Sequence, residues 1–155
     1  MKIYLNSLII LLAGFLSSCG QEEHEPYDHP FIHIMYNEGS FVEIDSEAIA
    51  IGEYSVYLSS KPLKQNLEVV YEIIVGDGLT EGVDFDIINQ GNKLTFLPGI
   101  YDMPIRIQWK NHRLPDTTKD NTLKIVLISN NQGFTMGLPG PDQLQKSLII
   151  TKINK

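Results

Sequence analysis

Asp102-Met103-Pro104-Ile105-Arg106-Ile107-Gln108-Trp109 decides the fold class. Met103, Ile105, Ile107 and Trp109 occupy every second position, with Asp102, Pro104, Arg106 and Gln108 between them. An extended chain points successive side chains to opposite faces, so a period of two marks a strand with one dry and one wet side. The same rhythm runs outward in both directions. Upstream, Tyr54, Val56 and Leu58 alternate with Ser55, Tyr57 and Ser59, and Leu67, Val69, Tyr71, Ile73 and Val75 line one face of a longer run. Phe85 and Ile87 alternate with Asp84 and Asp86, and Leu94 and Phe96 follow. Downstream, Leu123, Ile125 and Leu127 alternate with Thr122, Lys124 and Val126, and Leu148 to Ile153 closes the pattern. Phe31 to Tyr36 reads as a first strand.

Turn chemistry separates these runs at Ser60-Lys61-Pro62, Gly76-Asp77-Gly78, Gln90-Gly91-Asn92, Pro98-Gly99 and Leu114-Pro115-Asp116. No amphipathic helix is legible from Phe31 onward. Short strands with regular turns predict an all-β domain over residues 31–155, an antiparallel sandwich of about seven strands. Antiparallel pairing is expected because no crossover helix is available to join parallel neighbours.

The chain has 155 residues, 43% of them hydrophobic, which fits one domain with a core of its own. Its net charge of −7 gains nothing from a phosphate backbone, so nucleic acid is not an expected partner. An anionic lipid surface would not attract it either, so membrane attachment has to come from a lipid group. With one cysteine, no internal disulfide and no cysteine-based metal site can form.

That cysteine is Cys19. Before it lie Lys2, an apolar run from Ile3 to Leu16, and Leu16-Ser17-Ser18-Cys19. The run is too short to cross a bilayer core, which takes about 20 apolar residues, and has the length of a signal peptide's hydrophobic region. Leu16-Ser17-Ser18-Cys19 resembles the bacterial lipobox. The resemblance implies a signal peptide over 1–18, a diacylglyceryl group on the Cys19 thiol, and cleavage before it. Loss of Lys2 with the leader then moves the net charge from −7 to −8. Residues 19–30 read as a lipidated acidic spacer. Gly20 follows Cys19 where an inner-membrane retention signal would place Asp, and Glu22, Glu23 and Glu25 resemble the export signal of surface lipoproteins beside starch-utilisation-type systems. The expected address is the outer membrane, lipid-anchored and facing the cell surface.

Glu81-Gly82-Val83-Asp84-Phe85, Leu94-Thr95-Phe96-Leu97-Pro98-Gly99, Pro104-Ile105-Arg106-Ile107 and Leu123-Lys124-Ile125-Val126-Leu127 together resemble a Calx-beta domain. The resemblance covers about half of the chain beyond Cys19. It implies an immunoglobulin-like sandwich and raises the question of calcium, which acidic residues chelate at one end of the sandwich in some members. Asp84 stands at the matching Gly-x-Asp-aromatic position. Where the family carries an acidic pair after the Trp109 strand, this chain has Lys110-Asn111-His112-Arg113, with Asp116 only later. Calcium takes six to eight oxygens, so Asp84 and Asp116 make a sparse set, and a turn-capping role for Asp84 is the simpler expectation.

No catalytic set assembles. There is no Gly-x-Ser-x-Gly elbow, the only cysteine is assigned to the lipid, and Gly76-Asp77-Gly78 is a turn rather than a phosphate loop. Asp84 and Asp86 share the two-residue spacing of any solvated strand face. His24, His29 and His33 cluster near Asp28 without an element to fix a ligand geometry, and His112 reads as a loop residue. For a sugar-binding surface, Tyr57 and Tyr101 are the candidate rings, with Trp109 at the end of its strand as a third; its register with Ile107 also places it in the core. Asn130 to Lys146 is a long Gly/Pro-rich stretch whose Phe134, Met136 and Leu138 either pack on the sandwich or meet a partner. The expected protein is not an enzyme. It is a membrane-anchored accessory glycan-binding module or, alternatively, a structural or adhesive scaffold contacting other envelope proteins, with calcium stiffening as a variant.

Overall fold

A computed structural model describes residues 29–155. The leader, Cys19 and the spacer through Asp28, with His24, lie outside the described residues. The described chain is all β. Its ten strands are β1 (Phe31–Ile34), β2 (Phe41–Asp45), β3 (Ala50–Ser59), β4 (Leu67–Val75), β5 (Phe85–Ile87), β6 (Lys93–Phe96), β7 (Asp102–Trp109), β8 (Thr122–Asn130), β9 (Thr135–Met136) and β10 (Ser147–Ile153). They form two five-stranded sheets, ordered β5-β7-β3-β1-β9 and β2-β10-β8-β4-β6.

The alternating residues become the core between these sheets. Val56, Ile105, Ile107, Leu123, Ile125, Leu127 and Ile150 are fully buried, and their sequence neighbours face outward. Within that core the Trp109 indole N–H donates to the Tyr54 hydroxyl at 2.9 Å. Burial pushes the Tyr54 phenol up to about 12, against the lowering effect of that bond. Gly52, the third residue of β3, leaves room for the Tyr54 side chain; a Cβ there would meet the phenol at 2.5–2.8 Å.

Two expectations are corrected. The sandwich is not purely antiparallel: β1 pairs with β9, and β2 with β10, in parallel. No crossover helix is needed, because each pair joins strands from opposite ends of the domain and the chain between them builds the rest of both sheets. Ten strands replace about seven: all eight alternating runs become strands, and β2 and the two-residue β9 join them. β9 lies within the long stretch before Lys146, where Phe134 and Met136 pack against the core, so for these two the packing alternative holds.

Candidate functional site

Three places combine polar chemistry with fixed geometry. The first is an open groove of about 670 Å³ between the loop after β3 and the loop joining β8 to β9. Pro62, Leu63 and Phe134 supply its apolar lining, with Ser59, Gln65 and Gln132 among the polar groups. Asn130 fixes one wall: its Oδ1 accepts from the Gln132 and Phe134 N–H groups at 3.0 and 2.9 Å, and its Nδ2 donates to the Phe134 carbonyl at 2.7 Å. The two loops are tied together where Gln132 Nε2 donates to the Gln65 and Asn66 carbonyls and Asn131 Oδ1 accepts from the Glu68 N–H. Both walls are therefore held by side-chain amides rather than left to solvent.

Beside the groove, the outer face of the first sheet carries a column of rings. His33 stacks on Tyr57 with centroids 5.4 Å apart, and Phe31 tilts against His33 at the same separation. Register explains the column: His33 pairs with Tyr57, and Phe31 with Ser59, a groove residue. The rings are half-buried. Burial pushes the His33 imidazole below its ordinary 6.5, and its enclosed Nδ1 meets no hydrogen-bond partner among the described residues.

The candidate rings separate accordingly. Tyr57 sits in the column. Tyr101 is 39% exposed just before β7, and its carbonyl accepts from the Leu58 N–H. Trp109 is corrected as a ligand-binding residue: it is fully buried and bonded to Tyr54, because its register with Ile105 and Ile107 turns it to the inner face.

A third place lies where the two sheets meet at Asp84. This residue is only 2% exposed, although it precedes the buried Phe85, so the even positions around β5 are not uniformly wet as the alternation implied. Lys152 of β10, 1% exposed, reaches its Oδ1 at 2.9 Å, and His112 Nδ1 lies 2.9 Å from the same oxygen. Lys152 Nζ also donates to the Asp84 and Lys110 carbonyls at 3.4 and 3.1 Å, so all three ammonium hydrogens find acceptors. Burial alone would raise the Asp84 carboxyl. Hydrogen bonds from His112, Lys152 and the Thr80 N–H outweigh it and hold the group below its ordinary 3.8.

The expected turn cap is present in altered form: Asp84 Oδ2 accepts from the Thr80 N–H at 2.9 Å, closing the turn that leads into Gly82 rather than the one after it. Asp86 pairs with Lys110 at 2.6 Å instead of sharing a site with Asp84. Asp116 accepts from the Thr118 N–H and hydroxyl at 2.9 and 2.6 Å, an ordinary Asx turn. Among the described residues no group of three or more His, Cys, Asp or Glu side chains could hold a metal ion. The Lys152 ammonium and the His112 ring both lie against Asp84 Oδ1.

Sequence reasoning passed over Lys152, Asn130 and His33 as a ring partner. Lys152 carried a legible signal, since it stands two residues after Ile150 on the inward register of β10. The pairing of Phe31 and His33 with Ser59 and Tyr57 depends on strand register and has no local mark. Compared with known proteins, the chain matches no family model and shows no significant match to a curated protein.

Proposed function

We propose that the protein is a membrane-anchored surface lipoprotein whose sandwich, of immunoglobulin-like and Calx-beta-like character, binds a glycan without transforming it. One observation carries this reading: the Tyr57–His33–Phe31 column runs to the rim of the groove through the Phe31–Ser59 pair. Flat rings bury the apolar C–H faces of a sugar, and side-chain amides and hydroxyls such as those of Gln65, Gln132 and Ser59 match its hydroxyl groups. Among the described residues that line the groove there is no Asp or Glu to supply the paired carboxylates of glycoside hydrolysis.

A glycan array with the soluble domain beginning after Pro26, run with and without calcium, tests the reading. Binding to at least one polysaccharide class is expected, weakened by about tenfold in Tyr57→Ala, the loss of one stacking contact. No binding to any glycan in either condition rejects it. Palmitate labelling tests the anchor separately: label is expected on the full chain and absent from Cys19→Ala. A structural or adhesive role in contact with envelope proteins is the second reading, favoured by an open strand edge on the sheet that does not carry the ring column.

A further inference from the structure

We propose that the free edge of β2 accepts an extended, cationic segment of another protein as an added strand, a surface separate from the groove and independent of what the groove binds. β2 is the outermost strand of the second sheet. Its parallel ladder with β10 is bracketed by the Ile149 N–H donating to the Ser40 carbonyl and the Ser46 N–H donating to the Ile153 carbonyl. In a parallel ladder every second residue bonds to the neighbouring strand, so the even-numbered residues of β2 face β10. Phe41 and Glu43 therefore turn their N–H and C=O groups to the open side. Asp45 does the same with its N–H, while its carbonyl accepts from Ala48. Among the described residues no backbone partner meets Phe41 or Glu43 on that side, and two such successive outward positions form a template for strand addition.

The side chains indicate which kind of strand fits. Val42 and Ile44 pack against the core, leaving Phe41, Glu43 and Asp45 on the outer face. Phe41 is 76% exposed and in register with Ile149 on β10, so an apolar row already reaches the edge. Along this edge stand Glu43 and Asp45, and no basic residue lies in β2. Cross-strand pairs are favourable for opposite charges and unfavourable for like charges. An added strand with Lys or Arg opposite the acids satisfies this, and the apolar stem of a lysine can lie along Phe41. A second copy of this chain would bring the same acidic row and another net charge of −7 against the first. The chain's own Glu22, Glu23 and Glu25 segment carries the same sign.

The test is amide hydrogen exchange on the full chain in detergent, with two acetylated probes, Lys-Val-Lys-Val-Lys and Glu-Val-Glu-Val-Glu. The lysine probe is expected to protect the Phe41 and Glu43 amides, with protection falling as salt rises, and the glutamate probe to protect neither. Glu43→Pro removes one outward N–H without touching the ladder to β10 and should weaken the lysine probe by about tenfold, since main-chain bonds carry affinity in this mode. The paired swap Glu43→Lys with Asp45→Lys keeps a strand-competent sequence and should reverse the preference between the probes. No protection by the lysine probe at millimolar concentration overturns the proposal, as does equal protection by both. Protection that appears with protein concentration alone assigns the edge to a second copy and overturns it too.

Discussion

Lys152 and Asp84 are each tolerable in the core only because of the other. An ammonium with all three hydrogens bonded and a carboxylate with three donors have recovered much of the solvation lost on burial. Removing one partner strands the other charge, so Lys152→Met is expected to cost about 3–5 kcal/mol in urea unfolding. Asp84→Asn combined with Lys152→Met should cost less than the two single changes added together, because the double variant leaves no isolated charge. A Lys152→Met cost under about 1 kcal/mol would show that the pair does not hold the sheets together. Asp84 also sets an acid limit. Its folded carboxyl titrates below its ordinary 3.8, so the unfolded chain takes up the proton first. The stabilisation is complete above that value and is lost as pH falls below it, and Asp84→Asn should flatten the acid limb. His33 acts in a higher window. Burial lowers its imidazole from 6.5, so the unfolded chain is again the better proton acceptor and stability falls as pH drops below about 6.5. His33→Gln should remove that slope in thermal melts between pH 7 and 5; an unchanged slope would place its origin elsewhere.

At the scale of elements, what could be read depended on how far each strand's signal is local. β3, β7 and β8 are eight to ten residues long, and the alternating apolar positions within them set their inward face. β2 offers five residues carrying two acids, and its partner lies about a hundred residues downstream, so nothing near it announces a parallel pair. β9 has two residues, and its place depends on the turns around it. Gly137, immediately after β9, has φ +90 and donates to the Ile32 carbonyl at 2.7 Å. A Cβ there would meet the Gln143 carbonyl oxygen at 2.5 Å. Gly137→Ala should therefore cost about 1–3 kcal/mol, from the left-handed backbone and the clash together. Gly133→Ala is a fitting control: φ is +70, but no atom lies within 4 Å of the added methyl, so only the conformational part remains. Equal losses in urea titrations would show that the Gly137 contact is relieved by movement of the loop. The ring column belongs to this scale too, because the sequence supplied Tyr57 but only the β1–β3 register supplied the rings beside it.

Over the whole molecule, the two parallel pairs change what each end of the chain contributes. In a sandwich of successive antiparallel hairpins the last strand would be an edge, and its loss would remove one ladder. Here β10 lies inside its sheet, bonded to β8 on one side and β2 on the other. It also carries Leu148 and Ile150 into the core and Lys152 to Asp84. Ending the chain at Lys146 therefore removes two ladders, two fully buried apolar side chains and the countercharge of a buried carboxylate at once. Each buried aliphatic side chain is worth about 1.5–3 kcal/mol, and the stranded Asp84 adds to that loss, against a total stability of about 5–15 kcal/mol for a domain of this kind. The truncated chain is expected to show no cooperative unfolding transition by circular dichroism. Supplying residues 147–155 as a separate peptide should restore the transition in a concentration-dependent way, because the sheet between β2 and β8 is then the missing strand's own template. A truncated chain that melts cooperatively without the peptide would mean that β2 and β8 can close on each other, and that the parallel pair is dispensable to the fold.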